Sequence, residues 1–473
     1  MSLQFITGGS GAGKSEYLSR LVCEESVRRP HDNFIVVVPE QYTMETQKKL
    51  VHMHSRKGIL NIDVVSFERL AYKVFEELGG GNRPVLDDTG KNLIVRRVLE
   101  KEKKKLDYFG SSIEKTGFVS ELKSVISELL QYGITPQQLG EIGENVKEKQ
   151  QLSAKLKDIR LVYKEFMAFL STNYITSEEI LDVLCGLVEK SKLIAGSEII
   201  FDGFTGFTPI QYKLMRLLLV YSKGIKISVT IDKKERPTGH ESWNNLFFMS
   251  KEMMNRLIAI CEEEGINVDD TVCVDRDINY RYEGAKDLAY LERNLFRYKG
   301  GVYTGTPENI RIYEGSNPKE ELQYIVSEIL QLTRKEGFRY RDIAVVTADL
   351  ETYGKVAANM MKQNDIPAFL DYKRSVAANP YVEMLCSALE IVEKGYPYDT
   401  MFRYLRTGLT GISRHDIDML ENYCLAVGIR GSRAWHEPWK KKMKRSTYQP
   451  ELETLNALRE QIMAPFLNLE AVL

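Results

Sequence analysis

The sequence predicts an α/β fold, and three observations carry that prediction. Short apolar runs rich in β-branched residues alternate with helix-forming stretches over residues 1–86 and 192–298, and again over 299–395. The first such run, Leu3–Thr7, leads directly into Gly8-Gly9-Ser10-Gly11-Ala12-Gly13-Lys14-Ser15, which opens a helix-forming stretch. Between the two halves of the first series, residues 87–191 change to helical periodicity with no strand signal, as a helical block inserted into an α/β domain would.

Element by element, strand Leu3–Thr7 is followed by a helix from Lys14 through Val27, a strand at Phe34–Val38, a helix near Met44–Met53 and a strand at Ile62–Ser66. Phe34–Val38 is an almost unbroken apolar run, as expected for a parallel strand buried on both faces. In the inserted block, Asn92–Leu99 and Ile126–Leu130 carry helical spacing. Strand character returns at Glu198–Asp202 and Ile225–Ile231, which complete the first sheet. After a turn-rich stretch, Lys299-Gly300-Gly301 to Thr306-Pro307, a second series is predicted. It comprises a strand at Ile310–Tyr313, a helix at Pro318–Lys335, a strand at Ile343–Thr347, a helix around Tyr353–Gln363 and a strand at Ala368–Leu370. Residues 396–473 read as a helical subdomain that ends without a closing strand, as in a piece of something longer.

The loop Gly8–Ser15 fits G-x-x-x-x-G-K-[ST], and each residue type has a reason to be there. Glycines let successive backbone N–H groups turn inward toward phosphate oxygens, and the following helix adds its positive end. Lys14 supplies a point charge for the outer phosphates and Ser15 a hydroxyl for Mg²⁺. The expected ligand set is therefore ATP on Gly8, Gly9, Ser10, Gly11, Ala12, Gly13, Lys14 and Ser15, with Ser15 and Asp202 on the metal side. Asp202 ends an apolar strand, where a second acid for Mg²⁺ belongs. A glycine-rich turn without a ligand, and an aspartate that merely ends a buried strand, are the plainer alternatives.

Two further loops follow strands, Pro39–Thr43 and Ser66–Leu70. Tyr42, Thr43, Ser66, Phe67 and Arg69 have the chemistry to touch a nucleic-acid backbone or stack on a base, although ordinary loop and N-cap chemistry is the plainer and favoured explanation. Of the basic runs, Lys101–Lys105 reads as a solvated helix face. Trp439–Arg445, with its tryptophan, is the better DNA-contact candidate.

Composition narrows the class. The 473 residues carry a formal charge of −1, with 28% charged and 43% hydrophobic residues, so any nucleic-acid surface is local. No stretch of 18 apolar residues and no signal-peptide pattern is present, which predicts a cytoplasmic protein with no membrane partner. The 6 cysteines form no C-x-x-C and read as reduced core residues, and His52 and His54 have no carboxylate at metal-ligand spacing.

Taken together, seven segments resemble the AddB (RexB) family, which contributes one of the two subunits of bacterial AddAB helicase–nucleases: FITGGSGAGKS, VVVPEQYT, VVSFERLAYKVF, IIFDGFTGFTPIQ, DIAVVTADLETY, YLRTGLTGIS and DIDMLENYCLAVGIRG. Only the first is generic; the ordered set is specific and spans nearly the whole chain. The resemblance implies two RecA-like domains of the superfamily 1 helicase type, with inserted helical subdomains. It also implies an AddA-type partner, DNA as substrate, double-strand break processing, and a role in Chi recognition. An iron–sulfur cluster and a nuclease metal belong only to the full-length family member.

Several positions depart from an active motor. Gly203 stands where a D-E-x-Q motif has its glutamate and Thr205 where it has its glutamine; Ile231-Asp232-Lys233 lacks a G-D-x-x-Q pattern; Ala348 stands in place of an arginine. The expectation is nucleotide binding with slow or absent turnover, and no nuclease activity in this stretch of chain. The competing expectations are an autonomous DNA-dependent ATPase using another base, such as Asp232, and a P-loop kinase acting on a small molecule.

Overall fold

In the computed structural model of the chain, residues 1–79, 84–115, 117–146, 148–176, 179–235, 243–297, 301–371, 376–443 and 451–472 are described. They form two compact units, Met1–Arg311 and Ile312–Leu473. The Lys299-Gly300 part of the turn-rich stretch and the Lys444-Arg445 end of the second basic run lie outside the described residues.

The first unit is built on strands β1 (Ser2–Gly8), β2 (Asn33–Val37), β3 (Ile62–Val65), β6 (Ser197–Phe201) and β7 (Gly224–Thr230), joined by α1 (Lys14–Arg28), α2 (Thr43–Met53), α3 (Phe67–Leu78) and α10 (Pro209–Tyr221). Between β3 and β6 come β4 (Val85–Leu86), α4 (Asp88–Glu102), α5 (Phe118–Gln131), α6 (Pro136–Asn145), α7 (Gln150–Asn173), β5 (Ile175–Thr176), α8 (Ile180–Cys185) and α9 (Lys192–Ala195). After β7 follow α11 (Phe248–Glu264), β8 (Asn267–Val268), β9 (Val272–Cys273) and α12 (Lys286–Asn294). The main sheet is parallel, ordered β3-β2-β6-β7-β1-β8, with β9 also pairing β1.

Alternation along the strands decides which layer each side chain joins. Phe5, Ile35, Val37, Ile199, Phe201 and Ile227 face one way, into a core shared with α3, α8, α10 and α11. Ile6, Phe34, Val36 and Ile200 face the other, against Leu18, Val22 and Leu50 of α1 and α2. Both faces are covered, which is why Phe34–Val38 reads as a continuous apolar run. The inserted helices have a core of their own, with Val95, Leu99, Ile126, Val162 and Phe166 at its centre. The block expected to be all helical also contributes β5, which pairs in parallel with β4.

The second unit comprises α13 (Pro318–Lys335), α14 (Leu350–Gln363), α15 (Pro380–Glu393), α16 (Tyr398–Leu405), α17 (Arg414–Val427), α18 (Ser432–His436) and α19 (Leu452–Val472). Its helices start on chemistry legible in the sequence. Asn317 caps α13 ahead of Pro318, Asn379 caps α15 ahead of Pro380, and Ser413 caps α17. The strands expected at Ile310–Tyr313, Ile343–Thr347 and Ala368–Leu370 are a correction, because none forms a ladder among the described residues. An extended segment becomes a strand only when a neighbour takes up its N–H and C=O groups. Here Ile312, Val346 and Phe369 are exposed, while α13 and α14 close a small core of Leu322, Val326, Ile329, Met360, Met361 and Ile366.

Trp439 requires a second correction. It is buried, with its ring 5.2 Å from Tyr423 and 5.4 Å from Trp435, and its indole N–H donates to the Ala434 carbonyl. It therefore fills the core of the second unit and offers no face to a base. Of the cysteines, Cys23, Cys185, Cys261 and Cys424 are buried as expected, but Cys273 and Cys386 are exposed. Among the described residues no helix is long and apolar enough to cross a membrane.

Candidate ligand site at the strand ends

The glycine-rich loop turns from β1 into α1 through two residues with left-handed backbone, Gly11 (φ +70°) and Gly13 (φ +95°), the latter at the N-cap of α1. A side chain at either position is strained, by about 1–2 kcal/mol for an ordinary L-residue. This accounts for Gly11 and Gly13 without reference to any ligand. Lys14 folds back along the loop, and its ammonium donates to the carbonyls of Gly8 and Gly9, both at 2.9 Å. Ala12 is buried beneath the turn, whereas Ser15 is exposed on the first turn of α1. Burial lowers the Lys14 pKa from its usual value, and the fields of Asp202 and Asp275 oppose that shift.

Asp202 follows β6, which is separated from β1 by β7 alone, and its backbone N–H donates to the Val37 carbonyl at 3.1 Å. Ser228 of β7, a buried hydroxyl, donates to Asp202 Oδ1 at 2.5 Å and accepts from the Gly203 N–H at 3.3 Å. The aspartate is thus held in one orientation at the carboxyl edge of the sheet, where ligands of parallel α/β sheets sit. Gly203 itself has φ +85°. A glutamate there would occupy backbone that favours glycine, so the departure noted in sequence is built into the main chain. Asp232 is engaged elsewhere, in an ion pair with Arg297 at 3.1 Å.

The segment after β9 wraps the loop, and nothing in its sequence announced this. Asp275 Oδ1 accepts from the Gly9 N–H at 3.0 Å and Glu292 Oε1 from the Ser10 N–H at 3.2 Å. Asn279 donates to the Ser10 carbonyl at 3.2 Å, and the Tyr282 hydroxyl meets Ser10 Oγ at 3.3 Å. Two N–H groups of the loop thus donate to carboxylate oxygens of the chain itself. Burial raises the Glu292 pKa, and the Ser10 N–H partly counters it.

A second feature lies farther along the same edge, an open cleft of about 480 Å³ lined by Pro39, Glu40, Ser66, Phe67, Phe204 and Gln211. Phe67, Phe201, Phe204 and Phe207 pack with ring centroids 5.4–6.1 Å apart. Of the five loop residues singled out in sequence, Thr43, Ser66 and Phe67 are buried; Ser66 caps α3 by accepting from the Arg69 N–H. Tyr42 is exposed, and the exposed Arg69 is paired with Glu40 at 3.0 Å. The run Lys101–Lys105 is exposed apart from Glu102 and is answered by acids, with Lys105 2.6 Å from Glu102 and Lys103 2.9 Å from Glu114.

Fold and loop together define a parallel α/β chain with its candidate ligand positions gathered at the carboxyl ends of β1, β2 and β6. The chain belongs to the AddB family, since the family profile described as "ADDB, N-terminal" matches residues 5–292. Among curated proteins it is 42% identical over 469 residues to the B-type subunit of an ATP-dependent helicase/deoxyribonuclease of Lachnoclostridium phytofermentans, covering 98% of this chain and 41% of that protein. Proteins of the same name from Clostridium novyi (33% identical, 100% of this chain, 41% of that protein) and Clostridioides difficile (35%, 99% and 41%) also match. The chain therefore spans about two-fifths of the length of these relatives. Their shared name designates one subunit of a larger assembly.

Proposed function

We propose that this chain is the nucleotide- and DNA-binding part of an AddB-type subunit in a helicase–nuclease that processes double-strand DNA breaks. In this reading ATP with Mg²⁺ is held on Gly8–Ser15, with Lys14 on the phosphates and Ser15 and Asp202 on the metal side. The observation that carries it is the state of Lys14, whose ammonium is drawn back onto the Gly8 and Gly9 carbonyls within the field of Asp202. When bound, ATP with Mg²⁺ supplies a charged group that differs between the triphosphate and diphosphate states. The chain's own residues bind it and orient it. Among the described residues the neighbouring groups are engaged or absent: Gly203 carries no side chain, Asp232 is committed to Arg297, and Asp275 and Glu292 are held by the Gly9 and Ser10 N–H groups. The site thus holds a triphosphate more readily than it turns one over.

The two RecA-like domains remain part of this reading, with residues 1–86 and 192–298 as the first and 299–395 as part of the second. An AddA-type partner supplies the motor, and the aromatic cleft between the ends of β2, β3 and β6 is the place for single-stranded DNA, including a Chi sequence. Calorimetry with ATP and Mg²⁺ tests the site. Lys14→Ala is expected to abolish binding, and equal affinity in both proteins would remove the claim. Hydrolysis at several per second with single-stranded DNA, lost in Asp202→Ala, would instead establish the autonomous motor.

A further inference from the structure

The short turn Tyr280–Tyr282 lies outside the sheet, yet it is fastened to the glycine-rich loop from both sides. Asp275 and Glu292 hold the N–H groups of Gly9 and Ser10, Asn279 holds the Ser10 carbonyl, and the Arg281 N–H donates to the Gly11 carbonyl at 3.3 Å. The approach is close enough that a Cβ on Gly11 would lie 2.5 Å from Cβ of Arg281 and 3.4 Å from its Cδ. The Arg281 side chain therefore starts along the rim of the loop. Among the described residues it forms no ion pair, unlike its neighbour Arg276, which lies 3.7 Å from Glu283.

Charge at the loop is short on the positive side. The groups acting on Lys14 are the carboxylates of Asp202, Asp275 and Glu292 and the single guanidinium of Arg281. A triphosphate remains negative even with Mg²⁺ bound, and beside the three carboxylates Lys14 alone leaves that charge unbalanced. A guanidinium stays protonated, and its planar fork matches two phosphate oxygens. We propose that Arg281 is a second cationic ligand of the nucleotide, contacting the terminal phosphate of ATP from the rim of the glycine-rich loop, with Asp275, Asn279 and Glu292 as positioning residues. This rests on the reading of Gly8–Ser15 as an ATP site and adds to it a residue that distinguishes triphosphate from diphosphate within the first unit.

The test is calorimetric binding of ATP and of ADP, each with Mg²⁺, to the 473-residue chain as wild type, Lys14→Ala, Arg281→Ala and Arg281→Lys. A charge-assisted hydrogen bond of ordinary strength corresponds to a change of about tenfold or more in affinity. Arg281→Ala is expected to weaken ATP by at least about tenfold and ADP by less than about threefold, with Arg281→Lys intermediate. Unchanged ATP affinity, or equal losses for ATP and ADP, overturns the assignment. Retention of the wild-type melting temperature in Arg281→Lys separates loss of a ligand from loss of fold. If Lys14→Ala abolishes binding while Arg281→Ala does not alter it, the ATP site stands and the role of Arg281 falls. If the wild type binds neither nucleotide, both fall.

Discussion

Ser228→Ala removes a single oxygen that has two partners. Its hydroxyl donates to Asp202 and accepts from the Gly203 N–H, and the side chain is 4% exposed. Losing a hydrogen bond to a charged acceptor costs about 1.5–3 kcal/mol, and an orphaned N–H adds about 1–3 kcal/mol where water cannot reach it. Asp202 is only half-buried and can turn toward water, which recovers part of the loss. A net of about 2–3 kcal/mol is expected. Unfolding entropy near 2.1 cal/mol/K per residue, applied to the unit Met1–Arg311, gives roughly 0.65 kcal/mol/K and hence a fall in Tm of about 3–5 °C. Scanning calorimetry reads that shift directly. A second effect accompanies it, because an untethered Asp202 makes ATP affinity less sensitive to Mg²⁺. A melting temperature within about 1 °C of wild type, together with unchanged Mg²⁺ dependence, would show that Ser228 does not hold the aspartate.

Three further outcomes follow from the geometry. Gly11→Ala places a Cβ 2.5 Å from Arg281 Cβ at a residue with φ +70°, so nucleotide affinity should fall while the far-UV spectrum is kept; unaltered affinity would contradict the close approach. Leu218→Ala, in the fully buried core between α10 and the sheet, should cost about 2–5 kcal/mol in denaturant unfolding. Asp287 accepts N–H groups from Asn309, Glu308 and Leu288, and these hold its carboxyl down to about 2. Its folded pKa lies below the unfolded value near 3.9, so its contribution is present above that value and is lost as pH falls from about 4 toward 2. Asp287→Asn should flatten that part of the acid-unfolding curve, and an identical curve would refute it.

What the sequence disclosed, and what it concealed, divides along the range of the interactions. Phe34–Val38 was legible because a strand buried on both faces is apolar at nearly every position, and Ile225–Ile231 because Ile and Val alternate there with Lys226, Ser228 and Thr230. The loop was legible in part because positive φ selects glycine at Gly11 and Gly13. β8 and β9 are two residues each and are held by β1 alone, so they leave no periodic trace. The Tyr280–Tyr282 turn could not be placed beside Gly11, since only tertiary hydrogen bonds bring residues so distant in sequence together. The error at Ile343–Thr347 has the opposite origin. β-branched residues state a preference for extended backbone, but a ladder needs a neighbour. Trp439 shows that a tryptophan beside lysines reports on composition and not on exposure, because the ring is core while Lys440 and Lys441 face water.

The sheet order has a consequence for how the chain is made. β1 leaves the ribosome long before its partners β7, β8 and β9, which begin at Gly224, Asn267 and Val272. At about 5–20 residues per second, Leu3, Phe5 and Ile6 wait on the order of 10–45 s before β7 is available to pair with them. The inserted helices α4–α7 meet one another over short sequence distances and can collapse in that interval. The glycine-rich loop, made well before the strands and carboxylates that hold it, is therefore among the last parts of the unit to acquire its shape. Until Asp275 and Glu292 have been synthesised, its N–H groups lack the carboxylates that hold them.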